Sequence, residues 1–254
     1  MRRNTLLIAI PVFISFLQTV KAQDTFLKKY ASSGYKQIYS IIETDDNHLI
    51  FCGIVNVNSG AYVRKGTMSR ISLDGNMVDT KDYDFDAGNS GFVELLNPST
   101  TTGSYFLLGS EDSISENNSF NTIFIHTIDN EMNIVERRNF GMWTDSVNNP
   151  WDFEVLGDTT AYILSFFKTP SSSLAFNYSI IKAQLLNGRF DFKVPDDTIN
   201  KAASTLLIDE VNKLIRVNYF DFSSSYPKNP VAKISYDLDS LEVVTPYNEF
   251  SPQS

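Results

Sequence analysis

Three glutamates, Glu43, Glu94 and Glu154, stand at one point of a recurring pattern, with Ile208 at the fourth occurrence. Carboxylates aligned in this way around a channel would bind a cation or shift one another's ionisation. The same column also reads as a solvated lining. Asp82, Asp84 and Asp86 alternate in "DYDFDAGN", where oxygen ligands would suit Ca²⁺. Gly88 comes one place late for a calcium loop and Val93 stands where the closing Glu belongs, so the three read as one solvated strand face. His48 and His126 are the only histidines, and no spacing gives them metal or nucleophile partners. Cys52 is the only cysteine; in the apolar run "HLIFCGIV" it reads as a buried, inert thiol. No glycine-rich phosphate loop is present, and no cofactor is expected.

A second set could recognise rather than react. Tyr62, Arg64, Phe120, Phe176, Tyr219, Phe220 and Tyr226 fall in polar stretches that read as long loops. Tyr and Arg there would stack on a sugar or grip a peptide, or else pack beneath their own loops. Trp143 and Trp151 flank "TDSVNNP", and core packing is expected for both.

The elements that would position these residues repeat. Asp74, Asp129, Leu186 and Asp237 recur at steps of 55, 57 and 51 residues, within phrases such as "SRISLDGNMVDTKDYDF". Gly53, Gly109, Ser165 and Val217 close the apolar runs "LIFCG", "YFLLG", "AYILS" and "KLIRV" at steps of 56, 56 and 52. Each unit holds four strand candidates; in the first they are Ile38 to Glu43, His48 to Val55, Thr67 to Leu73 and Met77 to Tyr83. Short turns join the first pair and the last pair, and "NVNSGAYVRKG" and its counterparts join the middle pair. The expectation is an all-β, β-propeller-like array of about four four-stranded antiparallel blades, near 33–85, 86–140, 149–195 and 201–248. A β-sandwich with chance spacing is the alternative. Arg70, Lys182 and Lys233 share a third-strand column, with Ile125 in the second unit; they would pair with acids of a neighbouring blade or decorate the surface.

Residues 1–22 read as a signal peptide. Arg2 and Arg3 precede an apolar stretch from Leu6 to Phe16, and Val20-Lys21-Ala22 suits cleavage before Gln23. The stretch is short for a membrane span, with a signal anchor as the alternative reading; once it is cleaved, the chain 23–254 is not expected to cross a membrane. Losing Arg2, Arg3 and Lys21 leaves 18 basic against 30 acidic residues, a net charge of −12. Such a chain repels nucleic acid and anionic membranes. The expected location is secreted, periplasmic or on the outer cell surface.

"TFLKKYASSGYKQIYSIIETDDNHLIFCGI…GTMSRISLDGN" resembles the secreted propeller-type repeats of Bacteroidetes. Those repeats run from a "K-x-Y-G" strand through "I-x-x-T-x-D" and an apolar strand ending in Gly to "L-x-K-x-D-x-x-G". The match covers the first unit well and is weaker later, where Ser165 and Val217 replace the glycine and Leu186 the aspartate. The resemblance implies an exported or surface propeller, often joined to a sorting domain of the type IX secretion system, and no fixed catalytic set. Asp-Ser and Asp-Thr pairs at 112, 145, 158, 197 and 239 resemble the O-glycan acceptors of such proteins, or serve as turn chemistry. Residues 25–32, "TFLKKYAS", read as one fourth-type strand left over, either an edge strand or the remnant of a longer array.

Two functions follow as expectations. One is a non-catalytic scaffold or recognition module for a glycan, a peptide or a cell-surface protein. The other is a glycan hydrolase or lyase with its site at the central channel.

Overall fold

The computed structural model describes residues 35–58, 62–83, 90–96, 103–115, 118–140, 147–168, 177–193, 201–221 and 230–244. The chain divides into Met1–Ser32 and Ser33–Ser254, and all described residues lie in the second unit. They form sixteen strands and no helix. The first sheet holds β1 (Tyr35–Glu43), β2 (His48–Asn58), β3 (Tyr62–Ser72) and β4 (Met77–Tyr83). The second holds β5 (Ser90–Leu96), β6 (Ser104–Ser115), β7 (Asn118–Asp129) and β8 (Ile134–Phe140). The third holds β9 (Val147–Leu156), β10 (Thr160–Lys168), β11 (Asn177–Gln184) and β12 (Phe190–Lys193). The fourth holds β13 (Lys201–Asp209), β14 (Leu214–Asp221), β15 (Val231–Ser235) and β16 (Leu241–Val244). Within every sheet the strands follow in chain order and pair antiparallel, so the chain forms a propeller-like array of four meanders.

Apolar side chains on both faces of the central strands make three cores, one between each pair of consecutive sheets. Ile50, Cys52 and Met68 of the first sheet meet Tyr105, Leu107 and Phe124 of the second. Phe106, Leu108 and Ile125 point the other way, onto Phe153, Ala161 and Ile163 of the third. Tyr162, Leu164 and Tyr178 then meet Leu206, Ile215 and Val217 of the fourth. A strand buried on both faces needs a continuous apolar run, which explains "YFLLG" and "AYILS". In β14 the pattern alternates instead: Ile215, Val217 and Tyr219 are buried, while Arg216 and Phe220 are exposed. The far face of the fourth sheet is therefore exposed, with Arg216 opposite Lys233 and Lys233 opposite Glu242 beside the apolar Leu207 and Phe220.

First strands touch in succession, β1 with β5, β5 with β9 and β9 with β13. These four strands form the inner rim of the array. Each carries one bulge, at Tyr39, Val93, Trp151 and Ser204. The residues opposite these bulges are Gly53, Gly109, Ser165 and Tyr219. The fourth member of the glycine column is thus Tyr219, not Val217. A Cβ on Gly53 would lie 1.9 Å from the Gln37 carbonyl oxygen, so the tight pairing beside this bulge admits only glycine.

The hairpin between third and fourth strands also shifts one column. Ser72, Asp129 and Ser235 occupy the same place, each accepting turn amides on its side-chain oxygen: Asn76 N–H at 3.1 Å, Asn133 N–H at 2.7 Å and Asp239 N–H at 3.1 Å. Asp129 therefore aligns with Ser72, two residues before the position of Asp74. The left-handed residue of each hairpin is Gly75, Met132, Gly188 or Leu238.

Candidate functional site

The innermost strands decide the fate of the glutamate column. Counted from the bulge, Glu94 is the first residue, Glu154 the third and Glu43 the fourth. They share no register along their strands. Glu43 pairs with Leu49 and is exposed on the face turned away from the second sheet. Glu154 pairs with Tyr162 on the face turned toward the fourth. Every first strand carries the same bulge, so what separates the glutamates is their own unequal spacing from it.

The residue just after each bulge is polar in every sheet: Ser40, Glu94, Asp152 and Thr205. In the third sheet its role is visible. Asp152 Oδ2 accepts the Leu206 N–H at 2.7 Å, and the neighbouring Trp151 Nε1–H donates to the Ser204 carbonyl at 3.2 Å. Both bonds reach from β9 to the edge of β13 and satisfy backbone groups that an edge strand leaves open. Trp151 is braced nearly edge-on by Phe166, with ring centroids 5.3 Å apart and planes at 70°. Trp151 nevertheless remains 52% exposed, contrary to the core packing expected from sequence. Glu154 is half-buried further along the same strand. Burial, followed by the charge of Asp152, raises its pKa above the usual carboxylate range.

The outer strands lock consecutive sheets by a different contact. Tyr83 Oη donates to the Met132 carbonyl, and Lys81 Nζ donates to the Glu131 carbonyl at 2.5 Å. Lys193 Nζ donates to the Leu238 carbonyl. The acceptors Met132 and Leu238 are both left-handed turn residues. Tyr162 Oη and Lys182 Nζ add bonds at 3.0 Å each to the Tyr236 carbonyl and the Asp237 carboxylate. In the basic column, Arg70 pairs with Asp46 in its own sheet, Lys182 with Asp237 in the next, and Lys233 with Glu242 in its own. The second-sheet member is Thr127, not Ile125, since Phe106 pairs with Thr127 as Ile50 pairs with Arg70.

The aromatic set divides. Tyr62 and Arg64 lie in β3 and Phe120 in β7, because β2–β3 and β6–β7 extend as long hairpins where loops were expected. Tyr219 lies in β14, buried between the third and fourth sheets beside Tyr178 at 5.6 Å between centroids. Phe220 is exposed on the opposite face. Phe176 and Tyr226 lie outside the described residues. Residues 1–34, with the signal segment and the leftover strand, lie outside them too, as do Trp143, Asp84 and Asp86. Asp82 is an exposed β4 residue and accepts the Thr67 hydroxyl at 2.7 Å.

Cys52 is buried, as expected. His126 is buried as well, stacked on Phe124 at 4.2 Å between centroids. His48 starts β2, with Nδ1 at 3.0 Å from the Asp46 carbonyl oxygen. Among the described residues, no group of three His, Cys, Asp or Glu side chains could hold a metal ion, and no helix is long and apolar enough to cross a membrane.

No family model matches the chain, and no curated protein matches it. Among solved structures it is similar to an endo-arabinase from Bacteroides thetaiotaomicron VPI-5482, at TM-score 0.48 and 11% identity, over 82% of this chain and 78% of that one. It is also similar to a mutant apocarotenoid oxygenase from Synechocystis, at TM-score 0.47 and 7% identity, over 85% of this chain and 51% of the oxygenase. The chain spans about half the length of the oxygenase. With likenesses this distant, the fold assignment rests on the chain's own four sheets and the three cores between them.

Proposed function

We propose that this chain is an exported, non-catalytic recognition module that presents one side of a stiff propeller-like array to a glycan, a peptide or a cell-surface protein. The strand order carries the reading. With every sheet an antiparallel meander in chain order, the connections between sheets and the second-to-third hairpins emerge on one side, and the remaining turns on the other. Recognition concentrates on connections held by a rigid frame. The frame is tied at its inner rim by Trp151 and Asp152, and across its outer strands by Tyr83, Lys81 and Lys193. Export follows from the basic-then-apolar opening of the sequence, and passage through type IX secretion from the repeat resemblance. Expression of the full chain in a Gram-negative host, with fractionation and N-terminal sequencing, tests export: a mature start at Gln23 supports it, and an uncleaved cytoplasmic product refutes it. Screening that mature protein against glycan and peptide arrays tests recognition.

One observation favours the enzymatic alternative. A carboxylic acid whose pKa is raised by burial and by a neighbouring carboxylate, as with Glu154 beside Asp152, has the setting of a general acid. Turnover of a polysaccharide that Glu154→Gln abolishes would establish it.

A further inference from the structure

We propose that the exposed face of Trp151, on the inner rim between the third and fourth sheets, is a stacking platform for one ring of a neutral oligosaccharide. The proposal rests on the recognition reading above and names its ligand class. Trp151 sits at the bulge of β9, where the extra residue re-aims a side chain out of the sheet's regular alternation. Two contacts hold it: the Nε1–H bond to the Ser204 carbonyl at 3.2 Å, and the edge-on packing of Phe166. A ring restrained in this way loses little further freedom when a ligand arrives. Its one hydrogen-bond donor is already used, so what remains for a ligand is the flat apolar face. Trp151 is the fifth of the ten residues of β9 and so lies mid-strand on the inner rim.

The chemistry that fits a single flat aromatic wall with its donor already engaged is a ring with an apolar C–H face. A quaternary cation would call for several aromatic walls around it. Here Phe166 stands at 70° to the indole as a brace.

The test uses the full mature chain carrying Trp143→Phe, which leaves Trp151 as the only tryptophan. The probes are neutral arabino-, xylo-, gluco-, manno- and galacto-oligosaccharides, with tetramethylammonium as the cationic control. At least one sugar is expected to change the Trp151 emission saturably, and calorimetry should show Trp151→Ala weakening that sugar by about tenfold or more, with Trp151→Phe intermediate. Because Trp151→Ala also removes a packing contact, each variant is compared by thermal melting, and Trp151→Phe is the decisive one if the alanine variant does not fold. No emission change with any sugar overturns the proposal, and so does equal affinity in a folded Trp151 variant or a response to tetramethylammonium alone. Peptide or protein binding without sugar binding overturns the platform and leaves the recognition reading standing. Sugar turnover that Glu154→Gln abolishes, with stacking retained, overturns the non-catalytic reading and supports the platform.

Discussion

At the scale of single residues, ionisable groups set the pH response. Burial first, then the charges of Arg137 and Arg138, lower the His126 pKa to about 4. The unfolded chain binds that proton near pH 6.5 and the folded one near 4, so stability is full above 6.5 and lost as pH falls toward 4. The expected loss is about 3 kcal/mol across that window, seen as a falling melting temperature, and His126→Phe should flatten the profile. Glu154 works in the opposite sense. Its raised pKa stabilises the fold in acid, and that contribution is lost as pH rises through the folded value. Glu154→Gln should therefore raise the melting temperature at neutral pH. Gly53→Ala should cost about 2 kcal/mol or more in denaturant titrations, since the new Cβ meets backbone at 1.9 Å. Both histidines, Cys52 and the glycine were conspicuous in the sequence. The part Trp151 plays was not, because its exposure depends on a bulge that leaves no mark of its own in residue types.

Between the residue and the whole, the hairpins of the third and fourth strands do the joining. Met132 adopts φ 62° and Leu238 φ 61°, a region that disfavours side chains. Both side chains are buried in inter-sheet cores, and their carbonyls accept Tyr83 and Lys193 from the preceding sheets. Burial and bonding together offset the backbone cost. Glycine, the usual choice for this conformation, should therefore be worse here. Met132→Gly is expected to lose about 1–2 kcal/mol, as the buried thioether outweighs the relieved strain, and chemical denaturation measures it. Asp152→Ala should cost about 1–3 kcal/mol by leaving the Leu206 N–H without its acceptor. The existence of these hairpins was legible in "SLDGN" and its counterparts. Their alignment was not, because an Asp opens one turn where a Ser opens another, and either side chain can cap the same amides. The extended β2–β3 and β6–β7 hairpins were hidden for a related reason: polar residues paired outside the core carry no periodic signal.

Across the whole array, among the described residues, the two middle sheets are packed on both faces, and the first and last each share a core with one neighbouring sheet. Native-state hydrogen exchange should find its slowest amides in β6, β7, β10 and β11, and faster ones in β4 and β16. Slowest exchange in β16 would contradict this. The sequence by itself determined the class, the four units and the strands of each, because hydrophobic period and turn chemistry are local and are repeated. Only tertiary structure decided which residues meet. Glu43, Glu94 and Glu154 stand four, one and three residues past the bulge of their own strands, Tyr219 lies on the core face that alternation gives β14, and Trp151 occupies the bulge of β9. Side-chain direction in a sheet reverses with every residue, so a single inserted position that composition does not reveal reassigns the face of everything after it.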